Sequence, residues 1–268
     1  MYRATHFKQS VLSCVFRVDS DTHNQYKQTV SKLANKHYYD HFSATYEAQR
    51  HDGYHAFVDD LESELVRRYV HKATRLLEAG CGTGLVLNRL APFAASAVGV
   101  DLSLGMLRHA AKRSLPVVQG SVCDLPFKNE SFDVVCSFKV LAHVEQIEQA
   151  MRELTRVLRP GGFLLTEFYN PLSLRYLIKR LKQPTVISGD IHDEAVFTRY
   201  DSLGKMQSYL PAEMRFEDVF GIRVVTPFSA VHSWPWVGLV LRSVERKAAV
   251  LPLIRRFGGF LVLVARKE

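Results

Sequence analysis

Three glycines at every second position, Gly80, Gly82 and Gly84, follow directly on an apolar run that ends in an acid, Leu76-Leu77-Glu78-Ala79. A helical pattern starts at once behind them, with Leu85, Val86, Leu87 and Leu90. This is a strand, a tight glycine turn and a helix start, a layout that lets backbone approach a nucleotide-like ligand. Glycine suits the turn because a Cβ would block both its geometry and the ligand. The spacing also excludes ligands. A dinucleotide turn needs G-x-G-x-x-G, but Leu85 and Leu87 occupy the two places where a third glycine could complete it. A phosphate loop needs Gly-Lys-Ser/Thr, which is absent.

Around this turn, apolar runs and helical patterns alternate. Strands are expected at Arg75–Ala79, Ala97–Asp101, Pro116–Gly120, Phe132–Phe138 and Phe163–Tyr169. Their nearly continuous apolar residues fit a parallel sheet covered on both faces. Helices are expected at Leu85–Leu90, Gly105–Arg113 and His143–Leu158. The last carries a stripe of Val144, Ile147, Met151, Leu154 and Leu158, with Pro160-Gly161-Gly162 to end it. The alternation predicts an α/β fold, a doubly wound and mostly parallel sheet with right-handed crossovers. Upstream, residues 38–46 are aromatic and helix-compatible, and Phe57–Val70 has helical spacing. Downstream, a basic helix (Leu172–Leu181), a polar stretch (Gln183–Tyr200) and a helix over Asp201–Tyr209 interrupt the alternation. A strand near Arg215–Thr226, a helix from about Trp236 to Val250 and a strand at Gly259–Ala265 then complete the sheet. The stretch from about 170 to 213 reads as an inserted substrate lid. Residues 1–35 are polar and weakly periodic and read as a loosely docked extension, with the main domain spanning 36–268.

Of 268 residues, 47% are hydrophobic and 23% charged, within the range of soluble globular proteins. No apolar run is long enough to span a bilayer, and the Val11–Val18 stretch lacks a signal-peptide core. A cytoplasmic location is expected. The four cysteines, Cys14, Cys81, Cys123 and Cys136, show no metal-ligand spacing, and no metal is expected. The charge is +8, from 35 basic and 27 acidic residues. The basic residues concentrate at Arg175–Lys182 and Arg242–Arg256, with no aromatic interleaving of the kind that stacks nucleic-acid bases. A solvated basic face is the ordinary explanation; an anionic substrate or a membrane surface is the second.

Ligands in open α/β sheets sit outside the carboxyl ends of the strands. Asp101 ends the second strand, 21 positions after Gly80, the distance at which a carboxylate takes ribose hydroxyls. The third end reads Gly120-Ser121-Val122-Cys123-Asp124-Leu125-Pro126-Phe127. The fourth runs through Ser137 and Phe138 into Lys139 and His143. The fifth gives Glu167, Phe168, Tyr169 and Asn170.

Glu78-x-Gly80-x-Gly82-x-Gly84, with these strand ends in order, resembles the class I S-adenosylmethionine (SAM)-dependent methyltransferases. Gly120 through Phe127 is similar to the ubiquinone/menaquinone-type small-molecule enzymes. The resemblance covers about residues 38–170. It implies a seven-stranded Rossmann-like methyltransferase fold and SAM as cofactor, with S-adenosylhomocysteine as product. It implies SAM contacts from Glu78, Gly80, Cys81, Gly82, Thr83, Gly84, Asp101, Leu102, Met106, Ser121, Val122, Ser137 and Phe138, with Tyr46 closing over the ligand. The family places an adenine-binding Asp where this chain has Ser121, which accepts one hydrogen bond more weakly. Lys139, Tyr169, Asn170, Arg175 and Tyr200 are expected toward the substrate. His143 is the candidate general base, because histidine exchanges protons near neutral pH; a histidine packed under the site is the ordinary alternative.

The expected reaction is direct in-line displacement of the methyl by a small-molecule or lipid-linked acceptor. An RNA or protein methyltransferase using the basic surface, and a SAM-binding protein without catalysis, are the alternatives. No specific nucleic-acid module is recognisable, and the protein is expected as a monomer or homodimer.

Overall fold

The computed structural model describes residues 36–43, 46–47, 53–181, 186–188, 191–192, 197–226 and 228–268. The expectation for residues 1–35 falls outside them. A short helix over 36–42 precedes α1 (Gly53–Val66). Then follow β1 (Arg75–Ala79), α2 (Leu85–Leu90), β2 (Ser96–Asp101), α3 (Leu104–Lys112), β3 (Val117–Gln119), β4 (Phe132–Ser137), α4 (Ile147–Val157) and β5 (Leu158–Tyr169). The interrupting region holds α5 (Leu174–Leu181), a two-stranded hairpin of β6 (Val186–Ser188) and β7 (Ile191–His192), and α6 (Leu203–Gln207). The chain ends with β8 (Met214–Ile222), α7 (Pro235–Ala248) and β9 (Phe260–Lys267).

The main sheet has seven strands in the order β3-β2-β1-β4-β5-β9-β8. All neighbouring pairs are parallel up to β5, whereas β9 runs antiparallel between β5 and β8. The fold is therefore the Rossmann-like α/β arrangement expected. Because side chains alternate across a strand, consecutive residues feed opposite layers. Leu76, Val134, Leu165, Val262 and Val264 join Phe57, Val66 and Leu87 in one core. Leu77, Val135, Leu164, Leu261 and Leu263 join Ile147, Met151 and Leu154 of α4 in the other. Burying each of these three α4 side chains contributes about 2 kcal/mol.

Element bounds differ from expectation in several places: α1 spans Gly53–Val66 where Phe57–Val70 was expected, and both ends of α4 move. Helix α4 starts at Ile147, four residues later than the stripe suggested, because Leu141–His143 forms a 3₁₀ turn and Val144 is extended. It also ends at Val157, so Pro160-Gly161-Gly162 lies in the irregular first part of β5, where pairing with β4 shifts register and Gly161 takes φ 79°. The strand order reverses between β1 and β4. The turn after β1 and the turn after β4 therefore face one crevice, the position where such sheets bind ligands.

Candidate functional site

The glycine turn is built backbone-first. Gly80 N and Cys81 N both donate to Val100 O, at 2.7 and 3.0 Å, and Gly84 N donates to Cys81 O. Gly80, Gly82 and Gly84 all have positive φ, 78°, 53° and 78°. Their surroundings differ. A Cβ on Gly80 would stand 2.1 Å from Val140 Cγ2, and one on Gly84 2.6 Å from Leu115 Cδ1. Around Gly82 nothing lies within 4 Å of that point. Gly82 therefore marks the open side of the turn. Cys81 turns inward, its Sγ seated against Gly99, and burial pushes its thiol pKa up. Thr83 is buried as well.

Asp101 joins this turn to the next helix. Its Oδ2 accepts from Gly82 N and its Oδ1 from Ser103 N, each at 2.8 Å. Burial raises its pKa, against the pull of those amide bonds. Each carboxylate oxygen has a second lone pair, so the residue can hold the turn and still accept ligand hydroxyls. Leu102 contributes its carbonyl to Gln119 Nε2 at 3.0 Å. Met106 is 2% exposed on the inner face of α3, its amide bonded to Ser103 Oγ.

The helix over 36–42 docks on the start of α3. Asp40 Oδ1 accepts from Ser103 Oγ at 2.6 Å and from Gly105 N at 2.9 Å, and Lys36 Nζ donates to Oδ2 at 3.0 Å. A Cβ on Gly105 would meet Ser43 Oγ at 2.6 Å and Asp40 O at 2.9 Å, so glycine permits this approach. Arg113 reaches Glu47 at 2.8 Å and also donates to Thr83 O at 3.1 Å, tying residue 47 to the glycine turn. Tyr46 packs edge-on against Phe42, 5.4 Å between centroids. Tyr39 is half-buried near Tyr169, Tyr46 and Asp101; desolvation first, then neighbours that include these three, raise its pKa well above the usual range. The cap thus covers the ligand side of the turn.

At the third strand end, Ser121 Oγ accepts from Cys123 N at 3.2 Å and shapes a local turn. Val122 packs against the α4-side core. Arg156 and Glu153 of α4 clamp this loop. Glu153 accepts from Leu125 N, while Arg156 donates to the carbonyls of Leu125 and Phe127. At the fourth end, Ser137 Oγ donates to Ala79 O at 2.8 Å and is fully buried, so its role is to lock β4 to β1. Phe138 is buried in the core.

Lys139, expected toward the substrate, turns the other way. With φ 60° it sends Nζ to Asp59 Oδ1 at 3.0 Å and to the Glu62 carboxylate at 2.7 Å, both on α1. Its amide donates to Glu167 Oε1 at 3.2 Å. Glu78 and Glu167 close the cluster. Burial, then the nearby Glu62, pushes both carboxyls well above their ordinary range. Glu78 Oε2 and Glu167 Oε2 are buried without a hydrogen-bond partner among the described residues.

The remaining wall is aromatic and carries His143. His143 Nδ1 lies 2.9 Å from Phe197 O, and its Nε2 lies 3.4 Å from Tyr169 Oη. A carbonyl only accepts, so this contact assigns the proton to Nδ1 and leaves Nε2 as the acceptor. Tyr200 packs on Tyr169 and Tyr176, with centroids 5.7 and 4.6 Å apart, and Arg175 lies over the Tyr169 and Phe260 rings. The interrupting region supplies part of this wall. Arg199 N donates to Ala142 O at 2.8 Å and Asp201 N to Tyr169 O at 2.9 Å, which holds residues 197–201 across His143. Asn170 is placed differently from expectation. It is 1% exposed, and its Nδ2 donates to Arg256 O and Gly258 O while its Oδ1 accepts from Leu172 N. It braces loops instead of facing the crevice.

The aromatic segment Tyr38-Tyr39-Asp40 was legible in the sequence as a cap, but Arg113 and Glu47, which tie it to the glycine turn, were missed. Sequence reasoning also missed Asp59 and Glu62 as the partners of Lys139. The signal for Asp59 and Glu62 was two acids three apart beside the apolar stripe of α1 (Phe57, Leu61, Leu65). The cap pairs join residues more than 60 positions apart and leave no local pattern.

Comparison with known proteins bears on the family and the fold. Residues 77–166 match the methyltransferase domain family. An uncharacterised protein of Methanocaldococcus jannaschii is 33% identical over 151 residues, 56% of this chain and 57% of that protein. The demethylmenaquinone methyltransferase of Corynebacterium urealyticum is 35% identical over 99 residues, 37% of this chain and 43% of the enzyme. The chain thus spans about half the length of the curated relatives it matches. Among solved structures, a SAM-dependent methyltransferase of Thermotoga maritima aligns with TM-score 0.58 at 22% identity. The alignment covers 87% of this chain and 99% of that one, a likeness of fold.

Proposed function

We propose that this chain, a class I SAM-dependent methyltransferase by its domain over residues 77–166 and its fold, methylates a small-molecule or lipid-linked acceptor. The observation that carries this is the turn at Gly82: an open face at a positive-φ glycine, locked 2.8 Å from a carboxylate that ends the neighbouring strand. The residues fit SAM. Asp101 offers acceptor lone pairs for a ribose diol, Gly82 leaves room for backbone approach, and buried Glu78 Oε2 offers an acceptor for an ammonium. Val122 and Leu125 offer apolar contacts to an adenine, with Ser121 as the polar edge.

Bound SAM supplies an electrophilic methyl on a sulfonium, displaced in line to leave S-adenosylhomocysteine. The protein orients the acceptor and excludes water. The aromatic wall of Tyr39, Tyr169 and Tyr200 suits a flat acceptor, with Arg175 at its edge for an anionic one. His143 Nε2, held by the Nδ1–Phe197 contact, is placed to take a proton from an acceptor held near Tyr169 Oη. The name of the Corynebacterium relative supports a lipid-linked quinol as the acceptor class.

Calorimetry with SAM and S-adenosylhomocysteine, followed by label transfer from methyl-labelled SAM to a panel of quinols and phenols, tests the proposal. Micromolar binding and transfer to a ring acceptor are expected. Undetectable SAM binding overturns it; binding without transfer to any acceptor favours a non-catalytic SAM-binding protein.

A further inference from the structure

Helix α7 (Pro235–Ala248) has its polarity reversed. Its inward side carries Gly238, Glu245 and Ala248, all buried. Glu245, 1% exposed, accepts from the amides of Val224 and Val225 and from Thr226 Oγ1. The helix is therefore anchored through a polar contact, and its apolar side faces outward: Trp236 is 84% exposed, Val240 65% and Leu239 64%. The same surface continues through Trp234 before the helix and Leu253 and Phe257 after it. Asn170, bonded to Arg256 O, Gly258 O and Leu172 N, brings exposed Leu172 beside this last loop. Isolated surface apolar residues are ordinary, but a contiguous set of this size marks an interaction surface.

Charge decides what fits it. Of the five basic residues between 228 and 258, Arg246 pairs with Glu64, Arg255 with Asp218, and Arg242 reaches Gly53 O; the one acid in that stretch, Glu245, is buried. Lys247 and Arg256 stand exposed among the apolar side chains. A two-fold contact between copies of this chain would bring these cations against themselves. An anionic lipid surface would complement them, with Trp at headgroup level and aliphatic side chains below it. Among the described residues no helix is long and apolar enough to cross a membrane, so α7 would lie in the interface plane.

We propose that the face formed by α7 and the loop through Phe257 docks on an anionic phospholipid surface. The loop runs through Gly258 and Gly259 into Phe260, whose ring lies 5.1 Å from Tyr169, itself in contact with His143 Nε2. Docking would set the aromatic wall at the headgroup layer, where a lipid-linked acceptor enters. That purpose rests on the proposed acceptor class; the docking itself does not.

The only two tryptophans of the chain, Trp234 and Trp236, both lie on this face and report on it directly. The full chain is titrated with phosphatidylcholine vesicles with and without phosphatidylglycerol, following tryptophan emission and co-sedimentation, with SAM calorimetry on the same samples. A blue shift and binding at least about tenfold stronger to phosphatidylglycerol vesicles, weakened by salt, are expected. Leu239→Ser with Leu253→Ser should weaken partitioning about tenfold or more without lowering the melting temperature. Lys247→Glu with Arg256→Glu should remove the preference for phosphatidylglycerol. Failure to bind either vesicle overturns the proposal. So does a wild-type dimer that Leu239→Ser converts to a monomer, which assigns the face to self-association. Vesicle binding without SAM affinity supports the docking and overturns the methyltransferase function; SAM affinity without vesicle binding does the reverse.

Discussion

Asp101 Oδ2 accepts the Gly82 amide at 2.8 Å, so one carboxylate fixes the glycine turn and stands beside its open face. Removing it loses two structural hydrogen bonds and the ligand's acceptor together. Hydrogen bonds to charged groups contribute about 1.5–3 kcal/mol each. Asp101→Ala should therefore weaken SAM binding about 100-fold or more while the protein still folds, measured by calorimetry and circular dichroism. Unchanged affinity would place the ligand elsewhere.

The glycines of the turn should separate by mechanism. Gly80→Ala meets Val140 at once and should lower stability strongly in urea unfolding. Gly82→Ala meets nothing and should cost only the left-handed backbone penalty, about 1–2 kcal/mol. Gly82→Val should then abolish or greatly weaken SAM binding, because its branched side chain stands on the ligand side. Equal stability losses at the two positions would contradict this.

Asp40 makes cap docking pH-dependent. Partial burial works against ionisation, but hydrogen bonds from Ser103 and Gly105 and the nearby Lys36 outweigh it, lowering its pKa to about 2. A depressed folded pKa means that the contribution is fully present above the unfolded value near 3.8 and is lost as pH falls through about 2. After solvent screening it is about 1 kcal/mol. Asp40→Asn should be less stable than wild type at pH 6, and the gap should narrow between about pH 4 and pH 2 in urea titrations. A constant gap would remove Asp40 as the cause.

His143→Gln should lower kcat about 100-fold, the usual scale of one acid–base group, and leave SAM affinity unchanged. Tyr169→Phe keeps the ring wall and should have a smaller effect. Loss of SAM binding in His143→Gln, measured by calorimetry, would make the histidine a packing residue.

Lys139 is the cation within a buried carboxylate cluster. Lys139→Met should destabilise by about 3–5 kcal/mol, because the buried Asp59 and Glu62 carboxyls would lose the cation that pairs with them. Lys139→Met combined with Glu62→Gln should recover part of that loss in urea unfolding. No recovery would mean that the lysine acts through packing alone.

The sheet and the glycine turn with its acid were legible because local rules write them. Nearly continuous apolar runs marked the strands, and the three glycines with Asp101 21 positions on reported a turn whose backbone demands them. The start of α4 was misread because the apolar period runs smoothly through Val144 into Ile147. The 3₁₀ turn at Leu141–His143 and the extended Val144 behind it delay the helix to Ile147. Lys139 and Asn170 were assigned by their strand ends, but their side chains follow partners on α1 and in the 256–258 loop.

The sequence by itself determined the α/β order, the glycine turn and its acid, since each depends on neighbours along the chain. Tertiary structure decided which way each polar side chain turns, how residues 36–43 and 46–47 dock beside the turn, and that α7 anchors through Glu245 with its apolar side outward. Those choices are set by partners many tens of residues away in several cases, and by burial that penalises any polar group left without one.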